Sequence, residues 1–480
     1  MTLPEDVLYL SVRELGEALR ARRFSPVELA ESYLARLERH GPALGALVTT
    51  TRERALREAE QAEREIAAGR YRGPLHGVPY GVKDLLATRG YATTWGAAPY
   101  RDQRFDYDAA VVERLSAAGA VLVAKLSMVE LAGGMGYSQA NASFTGPGRT
   151  PWNTAYWSGG SSSGPAAAVA AALVPFAIGS ETWGSIVFPA ACCGVTGLRP
   201  TFGRVSRHGA MALSWTMDKL GPMARTADDC GLVLAAIAGA DPRDALSAAA
   251  PYAYDGARDG GRAAASSRRM TIGVLRNATL GVQPEVARNF EASLAALGEF
   301  ATLVRDVDFP DLPYNAAAET IIGAECASAF EELIESGRVR ELTAPEDRWG
   351  GYAQTAVPAR DYLKALRLRG PMAAAVDAAL APYDAVVSPT TDTVSYPVDR
   401  PFAEAWPPIP IPDGARTVPL GGAANLVGLP GVALPNGFGR DGLPTSIVFT
   451  GRAFQENAIL RAAGELQRRT DWHLKRPALR

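Results

Sequence analysis

The segment SGGSSSGPAAAVAAALVPFAIGSETWGSIVFPAACCGVTGLRPTFGR (158–204) constrains this chain more than any other part of it. It begins with a run of only glycine and serine, so the backbone there can approach a ligand closely. The alanine-rich run from Pro165 predicts a helix whose small side chains pack tightly against their neighbours. An apolar strand, a turn and a second apolar stretch beginning at Ser185 follow. The segment therefore places two serine-containing turns around a closely packed helix.

The rest of the chain carries the signals of an α/β protein. The first 70 residues are dominated by amphipathic, helix-capping patterns. Residues 109–128 then predict a helix, a glycine turn and a buried strand over 120–124, which is the layering of an α/β fold. Polar, glycine-rich residues at 253–269 predict an exposed loop. Without repeats or a clean linker, we predict a single domain over 1–480, with N-terminal helices in 1–70, a catalytic core in 71–240 and 381–480, and a peripheral lobe in 245–380.

Composition argues against several classes of function. The formal net charge is −2, from 49 basic and 51 acidic residues without long runs of one sign, so no nucleic-acid or membrane partner is predicted. The N-terminus lacks a secretory pattern, and the apolar stretch 166–178 is shorter than the roughly 20 residues that span a bilayer. The scattered histidines and cysteines lack metal-ligand spacing. We therefore expect a cytoplasmic protein without a metal site.

Ser185 is the candidate nucleophile because it begins an apolar stretch directly after a turn. Backbone N–H groups converge beside a serine in such a turn, and an oxyanion requires this arrangement. A serine hydroxyl must lose its proton during attack, so a base is also needed. The candidate oxyanion loop consists of Thr182, Trp183, Gly184 and Ser185 itself.

Lys83 is the candidate base. It lies among apolar residues in GVPYGVKDLL, and burial there would lower the pKa of its amine until the neutral form acts as a base. The same local sequence is also compatible with a surface lysine or with an ion pair to Asp84. The four histidines offer no local arrangement of base and acid.

Together these segments resemble the amidase signature family of C–N hydrolases. Members of that family carry a lysine in a G-V-P-x-x-x-K-D segment, a glycine–serine loop and a G-S-I nucleophile turn. Here the three positions read Lys83, Ser161 and Ser185, and the two serines are 24 residues apart. The resemblance runs from about residue 10 to 470 and includes PWN (151–153), GVTGLRPTFGRVSR (194–207) and MDKLGPMARTADD (217–229).

The resemblance implies a mixed central β-sheet with helices on both faces and a Ser–cisSer–Lys triad. In such a triad, neutral Lys83 accepts a proton from Ser161, Ser161 accepts one from Ser185, and Ser185 forms an acyl-enzyme. The family needs no metal or organic cofactor, and the implied partner is a small-molecule amide or carbamate. A homodimer is compatible with the sequence.

Trp183 departs from the family pattern, in which the nucleophile turn usually reads Gly-Gly-Ser. Tryptophan does not easily adopt left-handed backbone angles, so either the turn needs no such angle at this position or it is reshaped. The indole then either packs into the core or narrows the substrate pocket.

Val187 departs from relatives that carry arginine two residues after the nucleophile and act on acidic substrates. Because valine cannot pair with a carboxylate, we expect hydrolysis of neutral, rather apolar amides or anilides, with carbamates (urethanes) and aryl esters as further candidates. The alternative is an amidotransferase A-type subunit that hydrolyses glutamine or another amide with partner chains. By resemblance, the loop LAGGMGYSQA lines the substrate cleft, with contacts from Met135, Gly136 and Tyr137, although plain packing of these side chains fits the sequence equally well.

Other interpretations compete with this one. GSSSG (160–164) fits G-x-S-x-G, the nucleophile elbow of α/β-hydrolases, with Ser162 as nucleophile, but that motif needs a preceding strand and the sequence there reads as loop. A phosphate-binding loop is disfavoured because G-x-x-x-x-G-K-[ST] is absent and Pro165 removes a donor. A non-enzymatic subunit is compatible with the composition, although the three intact catalytic positions argue against it.

Overall fold

One mixed β-sheet runs through the computed structural model, which describes residues 3–254, 256 and 269–479. Its strands are β1 (Leu47–Thr50), β2 (Pro79–Lys83), β3 (Val121–Leu126), β4 (Phe176–Glu181), β5 (Thr196–Arg199), β6 (Lys219–Ala224), β7 (Met270–Leu275), β8 (Ala301–Val307), β9 (Ala385–Pro389), β10 (Gly431–Phe438) and β11 (Pro444–Thr450). Their order across the sheet is β1-β3-β2-β4-β6-β5-β10-β11-β9-β7-β8. β2 pairs in parallel with both β3 and β4, whereas β4 pairs antiparallel with β6.

The α-helices precede, separate and follow these strands along the chain. They are α1 (Glu5–Leu8), α2 (Val12–Arg20), α3 (Pro26–His40), α4 (Arg52–Ala67), α5 (Ala110–Ala117), α6 (Ser163–Ala170), α7 (Val187–Cys193), α8 (Ala227–Ile237), α9 (Pro284–Gly298), α10 (Tyr314–Ala329), α11 (Glu331–Glu335), α12 (Asp347–Gln354), α13 (Ala359–Leu380), α14 (Leu420–Leu426) and α15 (Glu456–Arg469). No helix of the described residues is both long and apolar enough to cross a bilayer.

The central strands are buried on both faces, which explains their continuous apolar sequences. Every residue of β2, β3 and β4 is buried. Side chains of a strand alternate between the faces of the sheet. On β3, Leu122 accordingly joins one hydrophobic cluster, while Val121 and Val123 join a second one that also contains α6. Helices thus cover both faces of the sheet, as the resemblance to amidase signature enzymes implied.

Most of the predicted elements are present. The helix and strand predicted within 109–128 are α5 and β3. The observed strand begins one residue after the predicted start at 120. The N-terminal 70 residues are not all helical, because the β-branched residues of β1 (Leu47–Thr50) pair with β3. β7 and β8, from the segment predicted as a peripheral lobe, form one edge of the central sheet. The loop predicted over 253–269 lies mostly outside the described residues, and the division into three parts stays a prediction.

Because α6 packs tightly against its neighbours, adding one methyl group to Gly164 in this helix should destabilise the protein. A Cβ on Gly164 would lie 2.4 Å from the backbone nitrogen of Ser127 and 2.6 Å from the carbonyl oxygen of Ala46. We expect Gly164→Ala to lower the free energy of unfolding by about 2 kcal/mol or more, because backbone cannot move aside as a side chain can. Denaturant titration measures this change.

Gly298→Ala is the matched control, because a Cβ at this position in α9 meets no atom within 4 Å. Alanine is also the better helix former, so this variant should be as stable as the parent or slightly more stable. Equal destabilisation of both variants would contradict the packing described for α6.

Candidate active site

The Lys83 amine is buried at the carboxyl end of β2, which lies between β3 and β4 in the sheet. Its side chain is fully inaccessible to solvent. The Nζ atom lies 2.7 Å from the Ser161 hydroxyl oxygen and 2.9 Å from that of Ser180. Asp84 lies instead 3.1 Å from the amine of Lys125. The structure thus excludes a surface position for Lys83 and leaves Asp84 paired with another lysine.

The surroundings of Lys83 favour its neutral form. Burial lowers the pKa of the amine to about 7, although the carboxylates of Asp218 and Glu181 act in the opposite direction. Both atoms that contact Nζ are hydroxyl oxygens, which accept from an ammonium or donate to a neutral amine. A lysine in this setting can exchange protons near neutral pH.

The loop before α6 brings Ser161 to this amine. The Gly160–Ser161 peptide bond is cis, and the Ser161 side chain is almost completely buried. The Ser161 carbonyl accepts a hydrogen bond from the Val129 N–H at 3.1 Å, which ties the loop to the chain after β3. A Cβ on Gly160 would lie 2.7 Å from side-chain atoms of Trp157 and Val129. Glycine is therefore required beside Ser161 for steric reasons.

Ser185 lies on the turn that follows β4, next to the Ser161 loop. The Ser162 N–H donates to the Ser185 carbonyl at 3.3 Å, so the two loops are joined directly. Ser185 is 8% exposed, which leaves its hydroxyl at the edge of the buried region. Gly184 has a φ of 83°, whereas Trp183 does not adopt a positive φ. The left-handed position of the turn is thus occupied by glycine, and tryptophan is tolerated before it without backbone strain.

A buried carboxylate holds the far side of this turn. Glu181 accepts hydrogen bonds from the N–H groups of Ile186 at 2.9 Å and Val187 at 3.1 Å. Its other oxygen pairs with Arg199 at 2.7 Å. Burial alone would raise the pKa of Glu181, but Arg199 and Lys219 lower this pKa to about 2, so the carboxylate stays ionised.

The near side of the turn is held by Asp218. The Thr182 hydroxyl donates to Asp218 at 2.5 Å, and the second carboxylate oxygen accepts the N–H groups of Leu213 and Ser214. Within the described ranges, no residue accepts a hydrogen bond from the N–H of Trp183, Gly184 or Ser185. Three of the four residues predicted as the oxyanion loop therefore present unused donors.

Sequence reasoning missed the residues that support this arrangement. Ser180, Glu181 and Asp218 were not predicted, although each contacts Lys83 or the turn. Alternation along β4 was an available signal, because it puts Ser180 and Thr182 on one face and Glu181 on the other. Asp218 lies within the MDKLGPMARTADD segment that carried part of the resemblance.

The loop predicted to line the substrate cleft, residues 131–140, packs against α12. Met135 is buried, and a Cβ on Gly350 of α12 would nearly coincide with the Met135 carbonyl. Gly136 is exposed, and Tyr137 is half-buried with its hydroxyl close to Gly160. The structure thus brings Tyr137 to the Ser161 loop and covers Met135 with a helix.

The residues after the nucleophile turn face two different environments. Val187 is 8% exposed and packs in the core cluster behind α6. Phe188 is half-buried and lies 5.6 Å from the ring of Trp157. It belongs to an aromatic cluster beside the site, completed by Tyr137, Trp157, Tyr396 and Phe402.

Trp183 borders a shallow apolar cavity of about 410 Å³ that is widely open to solvent. α10 and α12 form its walls, and the lining includes Ile322, Gly323 and Val357. Among the residues that line it, only Glu319 carries a charge, and that side chain is exposed. Trp183 therefore packs partly against the core and partly borders open space two residues from Ser185.

Ser162, the nucleophile of the rival interpretation, is placed differently. Its hydroxyl donates to the Ser180 carbonyl at 3.2 Å, and the described chain has no strand directly before the loop. Among the described residues, no group of three or more histidine, cysteine, aspartate or glutamate side chains is arranged to hold a metal ion.

Comparison with known proteins identifies the family to which the chain belongs. The family model described as Amidase matches residues 28–460. The chain belongs to the amidase signature family. Its class of enzymes cleaves amide C–N bonds.

Relatives and solved structures cover almost the whole of this chain. It is 37% identical over 497 aligned residues to the A-type subunit of the glutamyl-tRNA(Gln) amidotransferase from Methylococcus capsulatus, covering 98% of each chain. A peptide amidase from Stenotrophomonas maltophilia superposes with a TM-score of 0.81 at 30% identity, covering 98% of each chain. A structure from the complex that reveals the origins of an s-triazine catabolic enzyme gives a TM-score of 0.84 at 29% identity, covering 98% of this chain and 100% of that one.

Proposed function

We propose that this amidase hydrolyses linear amides through an acyl-enzyme on Ser185, with Ser161 as proton shuttle and Lys83 as base. The observation that carries the proposal is the 2.7 Å contact between the buried Lys83 amine and the Ser161 hydroxyl. A neutral amine is a competent base for a hydroxyl that relays a proton from the attacking group. The contact between the Ser161 and Ser185 loops supports the second step of the relay.

In the acylation step, Ser185 Oγ attacks the carbonyl carbon of the amide. Its proton passes to Ser161 Oγ, whose own proton passes to Lys83 Nζ. The tetrahedral oxyanion accepts hydrogen bonds from the unused N–H groups of the turn, Trp183 to Ser185. When the C–N bond breaks, the leaving nitrogen takes a proton from Ser161, and Ser161 recovers one from Lys83.

Deacylation repeats the relay with water as the nucleophile. Water attacks the acyl carbon and gives up a proton towards Lys83, and Ser185 leaves with a proton as the acid product forms. Because the pKa of Lys83 is about 7 and the neutral amine is the active form, Lys83 should give the activity profile a limb that rises as pH increases towards 7. The apparent pKa belongs to the coupled Lys83–Ser161 pair.

Replacing the three proposed groups tests the relay. Ser185→Ala should lower amide hydrolysis by at least about 10³-fold and abolish labelling by a fluorophosphonate. Lys83→Met should lower kcat by roughly 10²–10⁴-fold, because the base is lost while an apolar side chain of similar length fills the space. Steady-state rates on a p-nitroanilide measure both effects.

Ser162→Ala is the matched control for the serine variants. Ser162 lies in the same loop, and its hydroxyl is bonded to the Ser180 carbonyl. This variant should keep fluorophosphonate labelling and most of its activity. Labelling that persists on Ser185→Ala and disappears on Ser162→Ala would reject the proposed nucleophile in favour of the elbow mechanism.

We further propose neutral, apolar amides and anilides as the substrates, with carbamates (urethanes) and aryl esters as chemically related ones. All of these substrates form the same type of tetrahedral intermediate. The apolar cavity beside Trp183 supports this proposal because it has room for a ring and lacks a buried charge. Phe188 and the aromatic cluster next to the nucleophile turn offer a second apolar surface.

The second candidate is an amidotransferase A-type subunit, which would hydrolyse glutamine or another amide together with partner chains. The sequence relatives favour this candidate over a hydrolase of anilides, because A-type subunits of glutamyl-tRNA(Gln) amidotransferases from several bacteria are 34–38% identical over nearly the whole chain. The apolar character of the cavity beside Trp183 favours the first candidate.

Filling this cavity distinguishes the two candidates. A Cβ on Gly323 of α10 would lie 3.7 Å from Gln354, so a side chain fits there and points into the space beside Trp183. Gly323→Phe should raise the KM for a bulky anilide about tenfold or more, because the ring occupies the volume needed by the substrate. Propionamide, which does not need that volume, should keep its kcat/KM within about threefold.

The activity of the purified chain alone completes this comparison. Anilide hydrolysis that is sensitive to Gly323→Phe supports the first candidate. Release of ammonia from glutamine without anilide hydrolysis, and with no effect of Gly323→Phe, would contradict it and support the amidotransferase role.

A further inference from the structure

Lys219 is a second buried amine beside the site, and the reaction steps described above do not use it. It is the first residue of β6, is 2% exposed and lies opposite Glu181 in the β4–β6 ladder. Its Nζ donates to the Thr182 carbonyl at 3.2 Å and to Oδ1 of Asn425 on α14 at 3.0 Å. The amine therefore connects the start of the nucleophile turn to a helix on the far side.

The contact with Thr182 matters because of the atoms that share its peptide group. The Thr182 carbonyl and the Trp183 N–H belong to one amide. A cationic donor on the oxygen of an amide withdraws electron density from its nitrogen, so the N–H becomes a stronger donor. Within the described residues the Trp183 N–H has no acceptor, so it is available to a bound oxyanion.

We propose that Lys219 is a positioning residue that polarises the Thr182–Trp183 peptide and thereby strengthens the Trp183 N–H as an oxyanion donor. The inference rests on the proposed function, in which this N–H faces the tetrahedral intermediate. Full negative charge on the substrate oxygen exists only in the transition state and the intermediate. Lys219 should therefore act on kcat and leave KM nearly unchanged.

Charged groups from several elements face Lys219 and set its protonation. Burial, together with Arg199 on β5, lowers the pKa of Lys219 to about 7. Glu181 on β4 and the neighbouring Asp218 oppose this effect, and Arg369 on α13 adds to it. The polarising charge is thus present below pH 7 and is lost as pH rises. We expect a bell-shaped kcat profile, with Lys83 responsible for the rising limb and Lys219 for the falling limb.

Two variants separate polarisation from simple anchoring. Lys219→Met removes the charge and the donor and should lower kcat on the p-nitroanilide about 10–100-fold, somewhat less than the 10²–10³ typical for loss of a whole oxyanion donor. Its KM should change less than about threefold, and the falling limb should be absent. Asn425→Leu removes the other partner of Lys219 but leaves the contact with Thr182, so kcat should fall less than about fivefold and the falling limb should remain.

Lys219→Gln provides a second measurement if Lys219→Met folds poorly by circular dichroism. Its neutral amide keeps a donor, so kcat should lie between those of the parent and Lys219→Met, again without the falling limb. Equal losses in Lys219→Met and Asn425→Leu with an unchanged pH profile would overturn the proposal and leave Lys219 as an anchor. A parent-like kcat and profile in either Lys219 variant would also overturn it.

The activities of the Ser185 and Lys219 variants together show whether the proposed nucleophile or the proposed role of Lys219 is wrong. If Ser185→Ala still hydrolyses the anilide, the nucleophile assignment falls and the role of Lys219 falls with it. If Ser185→Ala is inactive while both Lys219 variants retain the parent profile, only the polarisation of the Thr182–Trp183 peptide is rejected.

Discussion

The contact between the Lys83 amine and the Ser161 hydroxyl is the interaction on which the site depends. The chain contains several buried lysines, and the partner of each decides what it can do. Burial lowers the pKa of Lys125, but the Asp84 carboxylate at 3.1 Å opposes this effect and favours the charged amine. Among the described residues, Lys83, one residue before that aspartate, contacts only hydroxyl oxygens. The last residue of β2 and the residue that follows it are thus adjacent in sequence but have different partners.

The nucleophile turn is held by buried polar groups as well as by apolar packing. The Glu181–Arg199 ion pair fixes one end, and Asp218 and Lys219 each bond to Thr182 at the other. A buried ion pair contributes little net stability, yet removing one partner typically costs about 3–5 kcal/mol. The effect of these groups here is geometric, because they occupy the N–H groups on the far side and leave those at the nucleophile unused. The fold thus uses buried polar groups to orient donors.

The sequence allowed the architecture to be predicted better than the site. Buried strands such as β3 and β4 could be recognised from apolar runs bounded by turns, whereas β1 was missed because a four-residue strand carries little periodicity. Ser185 and Lys83 were candidates from their local sequence, whereas Ser161 came only from the resemblance. From local sequence, Lys83 could be either a base or a partner of Asp84. Local sequence does not show which side chains of neighbouring strands contact it.

The supporting residues could not be predicted for the same reason. Ser180 and Asp218 act through contacts between strands and loops that are far apart along the chain. The conformation of Trp183 could not be predicted for a different reason. The backbone angle at one position of a turn depends on where its glycine is placed, and here Gly184 alone takes the left-handed conformation within the turn. Whether the indole faced the core or the pocket depended on α10 and α12, which follow much later in the chain.

Direct titration of the Lys83 amine tests the central claim. The chain contains only five lysines, so ¹³C-labelled lysine gives a simple NMR spectrum in which the Lys83 signal is identified by its loss in Lys83→Met. The structure predicts that this signal titrates near pH 7, because burial lowers the pKa of the amine to about 7. A Lys83 signal that remains that of a charged ammonium up to pH 10 would contradict the proposed base and the proton relay built on it.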